Sequence, residues 1–141
     1  MAEIGVNMDQ FPSAGHLASW GGLCPGNNES GGKRKPARTR KGNAWLRRAL
    51  CEAAWAASHT KNTYLAVQFR RSAARRGAKR ATLAVAHSIL VIAYHMLKDH
   101  RAYQELGSDY FDRLRGDGLK RYYVKRLQQL GMTVEITTTA Q

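Results

Sequence analysis

The sequence predicts an all-α, or mostly α, domain. Apolar residues recur at helical spacing through much of residues 44–98, residues suited to helix N-caps stand directly before those stretches, and most glycine and proline gathers outside them. A chain of 141 residues, 43% of them hydrophobic, fits one domain with a real core, which excludes wholesale disorder.

In chain order, Ala2-Glu3-Ile4-Gly5 reads as the end of an element. Phe11-Pro12-Ser13 then opens a short helix, with Pro12 tolerated in its first turn because the missing N–H had no helical partner there. Leu17, Ala18 and Trp20 give this helix an apolar face, and Gly21-Gly22 stops it. Residues 21–43 form a Gly-rich, basic loop, in which Pro25 and Pro36 prevent a regular helix; a connection of that length is usually functional or disordered. Asn43 caps the next helix, with Leu46, Ala49, Leu50, Ala53, Ala54 and Ala57 as its stripe; Trp45 and Trp55 offer rings on which bases could stack, but beside those apolar positions they are expected in the core. Asn62-Thr63 caps another, carrying Tyr64, Leu65, Val67 and Phe69 toward Arg76-Gly77. The most apolar helix covers about 79–98, with Leu83, Ala86, Leu90, Ala93 and Leu97 on one face. Two shorter helical stretches follow near 109–114 and 119–130, separated by a turn at Gly116-Asp117-Gly118, and residues 132–136 form a short extended tail. The single domain, 1–141, thus divides into 1–20 (end of an element and a short helix), 21–43 (loop), 44–98 (helical core) and 99–141 (C-terminal helices and tail).

The formal net charge is +13 and it is unevenly placed. Residues 1–32 hold three acids and no Lys or Arg; residues 33–80 hold fifteen Lys/Arg against the single acid Glu52; residues 81–141 hold eight against six. A block this one-sided repels itself unless a polyanion faces it, and nucleic acid is the partner expected. A membrane is not expected, because the apolar run at 83–97 is too short to span a bilayer and no long amphipathic helix accompanies the charge. No secretory pattern opens the chain, and Cys24 and Cys51 lack metal-ligand spacing and read as small buried residues, so a cytoplasmic protein is expected.

Several chemistries fail on spacing. From Gly26 a phosphate-binding loop needs Gly31 followed by Lys, but Gly32 follows, and Lys33 precedes Arg34 where Ser or Thr would bind Mg²⁺. The hydrolase elbow fails because Asn28 stands where glycine is needed before Ser30. His87 and His95, eight apart on a helix, stand ~12 Å from each other, too far to chelate one ion, and read as core or boundary histidines. Asp109, Asp112 and Asp117 are explained by surface ion pairs and a turn, so no metal site is expected. Ser30 stands before Gly31 and Gly32, which let backbone approach a ligand, and before the cations Lys33, Arg34, Lys35, Arg38, Arg40 and Lys41. A hydroxyl among fixed cations suits attack on a phosphodiester, yet on composition alone an ordinary Ser/Gly turn explains it better. For the basic run a nucleic-acid role is preferred, because Arg47, Arg48, Arg70, Arg71, Arg75, Arg76, Lys79 and Arg80 extend the same sign onto the helices; Arg71 and Arg75 share a face, as do Arg76 and Arg80 if the helix is unbroken at Gly77.

The ordered combination Phe11-Pro12-Ser13-Ala14, Gly22-Leu23-Cys24-Pro25-Gly26, Ser30-Gly31-Gly32-Lys33, Lys41-Gly42-Asn43 and Leu46-Arg47-Arg48-Ala49-Leu50 resembles the C-terminal transposase domain of the insertion-sequence "one-ten" family, also called the "one-sixteen" or "nine-oh-two" family. The resemblance is firm over about residues 3–98 and loose beyond. It implies a bacterial, nucleoid-associated recombinase domain that binds DNA, is guided by a structured RNA, often works as a tetramer, and supplies Ser30 as a nucleophile that becomes joined to DNA. It further implies an N-terminal RuvC-like domain whose acidic set binds Mg²⁺; with no cofactor expected in these 141 residues, the chain is expected to be a C-terminal piece, inactive alone and dependent on that domain and on self-association. The alternatives are a non-catalytic basic module that binds nucleic acid, or an inactive remnant.

Overall fold

The structure is a computed structural model that describes residues 3–26, 29–34, 38–39, 41–135 and 137, without the side chains of Arg34 and Asp117. It is helical, as the periodicity requires. A 3-10 turn at Met8–Gln10 leads to α1 (Ala14–Trp20), a two-stranded hairpin of β1 (Glu29–Ser30) and β2 (Lys33–Arg34), then α2 (Ala44–His59), α3 (Tyr64–Arg76), α4 (Ala78–Asp99) and α5 (Tyr110–Gln129).

Each boundary has a local cause. The Ser13, Asn43 and Thr63 side chains accept from the backbone N–H three residues on, starting α1, α2 and α3. Pro12 therefore precedes the cap of α1 and lies outside its first turn. Gly77, at φ 81° and ψ 160°, ends α3 and begins α4 in one residue. This break separates Arg76 and Arg80 onto different helices, so they do not share a face. His100, in the left-handed region at φ 50°, closes α4.

The core is built around α4, against which α1, α2 and α3 all pack. Val85, Ala86, Leu90 and Tyr94 of α4 are buried with Leu17 and Ala18 of α1, Leu46 and Ala54 of α2, and Ile4, Met8 and Leu23 of the connecting segments. Tyr94 is 2% exposed and its polar tip is satisfied: the hydroxyl donates to the Phe11 carbonyl at 3.1 Å and accepts from Lys98 Nζ at 3.2 Å. Burying such a ring is worth about 1.5–3 kcal/mol. At 22 residues and mean hydropathy 1.4, α4 is long and apolar enough to cross a bilayer, which overturns the length argument drawn from residues 83–97. Helices α1, α2 and α3 pack against it, and 28% of its apolar window is buried among them.

Two expectations fail for geometric reasons. Trp45 and Trp55 are 72% and 53% exposed. The buried stripe of α2 runs through Leu46 and Ala54, and a residue one position off that stripe is rotated by ~100° toward solvent. Trp55 keeps edge contacts with His59 and Phe69. The predicted turn at Gly116-Asp117-Gly118 is absent: α5 runs unbroken through it. Apart from its first turn, α5 leaves the body exposed. Tyr64 of α3 stacks on Phe111 at 5.2 Å and meets Tyr110 edge-on, which fixes where α5 begins. The described tail residues 132–135 and 137 pair with no strand.

Candidate nucleic-acid interface and the Ser30 hairpin

The Gly-rich loop is a braced arm. At its base Pro25 and Thr39 form an antiparallel bridge, and Gly26 N–H donates to the Arg38 carbonyl at 3.1 Å. The base is seated where Gly42 crosses Gly21-Gly22, so closely that a Cβ on Gly42 would collide with both backbones. Asn43, next in sequence, caps α2 through Leu46 N–H at 2.9 Å and donates from its Nδ2 to Glu3 Oε2. The Lys41-Gly42-Asn43 motif thus joins the arm, the end of α1 and the start of α2.

At the tip, Gly31 (φ 57°) and Gly32 (φ 73°) make the two-residue turn, and the register pairs Ser30 with Lys33 and Glu29 with Arg34. Positive φ at both central residues marks the turn whose twist suits a tight hairpin. A Cβ on either glycine would meet nothing within 4 Å, so the turn requires these glycines for backbone conformation, not for close packing. Residues 29–33 are exposed. Directly opposed residues of an antiparallel pair share a face, which sets the Lys33 side chain beside Ser30, with Cβ atoms ~5 Å apart, and turns Glu29 to the other face. The hydroxyl therefore has an ammonium as its cross-strand neighbour and the adjacent carboxylate behind it. Gly-Gly between two polar residues is itself a hairpin signal, and it fixes the Lys33 position more closely than the basic run alone.

The remaining cations fall into two groups by element. Arg38 and Lys41 of the arm are exposed, Arg47 is half-buried, and Arg48 is exposed and paired with Glu52 at 2.9 Å, so the one acid of the basic block neutralises Arg48. Lys35 and Arg40 lie outside the described residues, as does the Arg34 side chain. On α3, Arg70, Arg71, Arg75 and Arg76 are exposed. Arg71 reaches Asp112 at 3.4 Å and lies 5.2 Å from the Phe111 ring centroid. Arg71 and Arg75 share a cleft of about 420 Å³ with Arg115 of α5, which lies outside the 33–80 block and which the sequence places only near the acids Asp109 and Asp112.

Among the described residues no three His, Cys, Asp or Glu side chains converge as a metal site would require. Asp109 is held by Arg113 at 2.9 Å, Asp112 by Arg71, and exposed His95 lies 3.7 Å from Asp99. Cys24 and Cys51 are free and half-buried, and burial pushes the Cys51 thiol up against the opposing pull of Arg47. A thiol so placed is a packing group rather than a nucleophile.

A family model described as "Transposase IS116/IS110/IS902 family" matches residues 1–71, which take in α1, the Ser30 hairpin, α2 and the first half of α3. No curated protein and no solved structure matches the chain.

Proposed function

The chain belongs to the IS116/IS110/IS902 transposase family, whose substrate is DNA, and from that premise we propose that it is the DNA-binding, serine-bearing part of a DNA recombinase. The observation that carries this reading is the Ser30 hairpin: a serine at an exposed tip, one residue from a turn that needs two glycines, with Lys33 on its own face. Ser30 Oγ attacks a strand phosphorus. The Oγ–P bond forms as one P–O ester bond of the strand breaks, and the serine proton ends on the released DNA hydroxyl. Attack by a hydroxyl of a second strand reverses the step with no net loss of ester bonds, as strand exchange demands. Lys33 offsets the charge that develops on the phosphoryl oxygens, and Arg38, Lys41, Arg47 and the α3 arginines hold the backbone on either side.

Mg²⁺ chemistry is assigned to a RuvC-like domain outside these residues, and no step is routed through a metal here. A guide RNA and self-association belong to the same proposal on family grounds alone. A second reading, a non-catalytic module that binds nucleic acid through charge, is favoured by one observation: among the described residues no side chain holds the Ser30 hydroxyl or stands as its base. The two part on Ser30→Ala. With an acidic partner domain and labelled element-end DNA supplied, the wild-type protein forms a protein–DNA adduct that survives denaturation, while Ser30→Ala binds DNA equally and forms none. Absence of a wild-type adduct under those conditions leaves the second reading standing.

A further inference from the structure

Residues 68–75 of α3 and the first two turns of α5 line the cleft already noted. Gln68, Arg71, Ser72 and Arg75 line it from α3, and Phe111 and Arg115 from α5. Positions 68, 71, 72 and 75 follow helical spacing, as do 111 and 115, so each helix turns one face to the other. Three guanidiniums, a hydroxyl and an amide line a shared volume; the Asp112 carboxylate, which is not part of that lining, pairs with Arg71 at 3.4 Å. Among the described residues Arg75 and Arg115 have no carboxylate partner. Like charges brought together across a cleft repel unless an anion lies between them. The Phe111 ring is already occupied, by Tyr64 stacked on it and by the Arg71 guanidinium over it, so it forms a wall and offers no free face to a base.

We infer that this cleft is a phosphate clamp: it takes one phosphodiester of a polynucleotide between Arg75 of α3 and Arg115 of α5, with Arg71 and Ser72 alongside. The inference rests on the DNA-binding reading above and adds to it a defined site and a structural effect. Guanidinium forks match phosphate oxygens two at a time. A phosphate held from both sides also ties α5 to the body beyond its aromatic first turn, so the same contact that binds the strand sets the direction of a 20-residue helix.

The test is equilibrium binding of fluorescein-labelled duplex DNA, followed by anisotropy across a salt series, to the full chain and to Arg75→Gln, Arg115→Gln, the double variant and Lys125→Gln. Circular dichroism checks that each variant folds; the three side chains changed, Arg75, Arg115 and Lys125, are exposed. Arg75→Gln and Arg115→Gln each weaken binding by roughly tenfold. Both act on one phosphate, so the double variant is little worse than either single, and its log–log salt slope falls by about 0.9 rather than twice that. Lys125→Gln, the same charge change beyond the cleft, stays within about twofold. Losses in Arg75→Gln and Arg115→Gln no larger than in Lys125→Gln, or losses that multiply in the double variant, overturn the clamp and leave DNA binding intact. A wild-type chain that binds no DNA overturns both. Arg115→Lys, which keeps the charge and loses the fork, restores only part of the affinity if the clamp is right; full recovery would show a diffuse charge effect instead.

Discussion

Gly42 has no room for a side chain, because the backbones of Gly21 and Gly22 occupy the space a Cβ would need. Gly42→Ala should therefore cost about 3 kcal/mol, at the upper end of overpacking effects since backbone on both sides must yield, and a thermal melt will show a lowered Tm with loss of the arm's anchorage. Gly31→Ala meets open space and is opposed only by its φ, so it should be milder, by about 1–2 kcal/mol of local strain confined to the tip. Lys33 and Arg38 should separate chemistry from binding under the proposed mechanism. Lys33→Gln is expected to slow adduct formation about a hundredfold with little change in DNA affinity, and Arg38→Gln the reverse, as read from single-turnover adduct yield beside anisotropy. At this scale the sequence was informative where residue chemistry was unusual. Ser30 stood out only through its family motif, since a serine in a Gly-rich turn is ordinary. Trp45 and Trp55 misled because a large apolar side chain suggests burial, whereas the narrow α2 stripe is filled by Leu46 and Ala54.

The helices α1 to α4 were legible because their stripes and caps agree: Asn43 and Thr63 stand one residue before α2 and α3, and Gly77 divides α3 from α4. The helix α5 was not, because Gly116 and Gly118 suggest a turn while its weak apolar pattern gives no opposing signal. Neither glycine has positive φ, and a Cβ on either would meet nothing within 4 Å. Gly116→Ala and Gly118→Ala should each stabilise α5 by about 0.5–1 kcal/mol and raise helicity by circular dichroism; a fall in helicity would restore the turn. The segment before α5 supplies a second test. Glu105 Oε1 accepts from Tyr64 N–H at 2.7 Å and Gly107 N–H at 3.0 Å, and Oε2 accepts from the Tyr103 hydroxyl at 2.9 Å. The Tyr64 N–H bond, with smaller help from Gly107 and Tyr103, holds the Glu105 carboxyl below the ordinary glutamate value, while burial and the Glu105 bond push the Tyr103 hydroxyl up to about 12. A carboxyl whose folded pKa is depressed stabilises fully above its unfolded value, and the contribution disappears as pH falls through the folded value. Tm measured against pH should therefore drop on the acid side for the wild type, and Glu105→Gln should flatten that drop.

Across the whole molecule, charge and core are kept apart. Among the described residues no polar or charged residue other than the satisfied Tyr94 is buried, and the basic block of residues 33–80 is spread over the arm, α2, α3 and the start of α4. Composition showed the block, but the joining of Arg71 and Arg75 to Arg115 depends on how α3 and α5 meet, and sequence spacing does not contain that contact. One bond has a consequence for how the protein is made. Tyr94 reaches the Phe11 carbonyl across 83 residues, and the core that seats α1 and the root of the arm includes Val85 and Leu90. At ~5–20 residues per second, synthesis runs for ~4–17 s between Phe11 and its partner. Throughout that interval α1 has no α4 to dock on, so the core contacts beneath α1 and the root of the serine-bearing arm close only once α4 has been made.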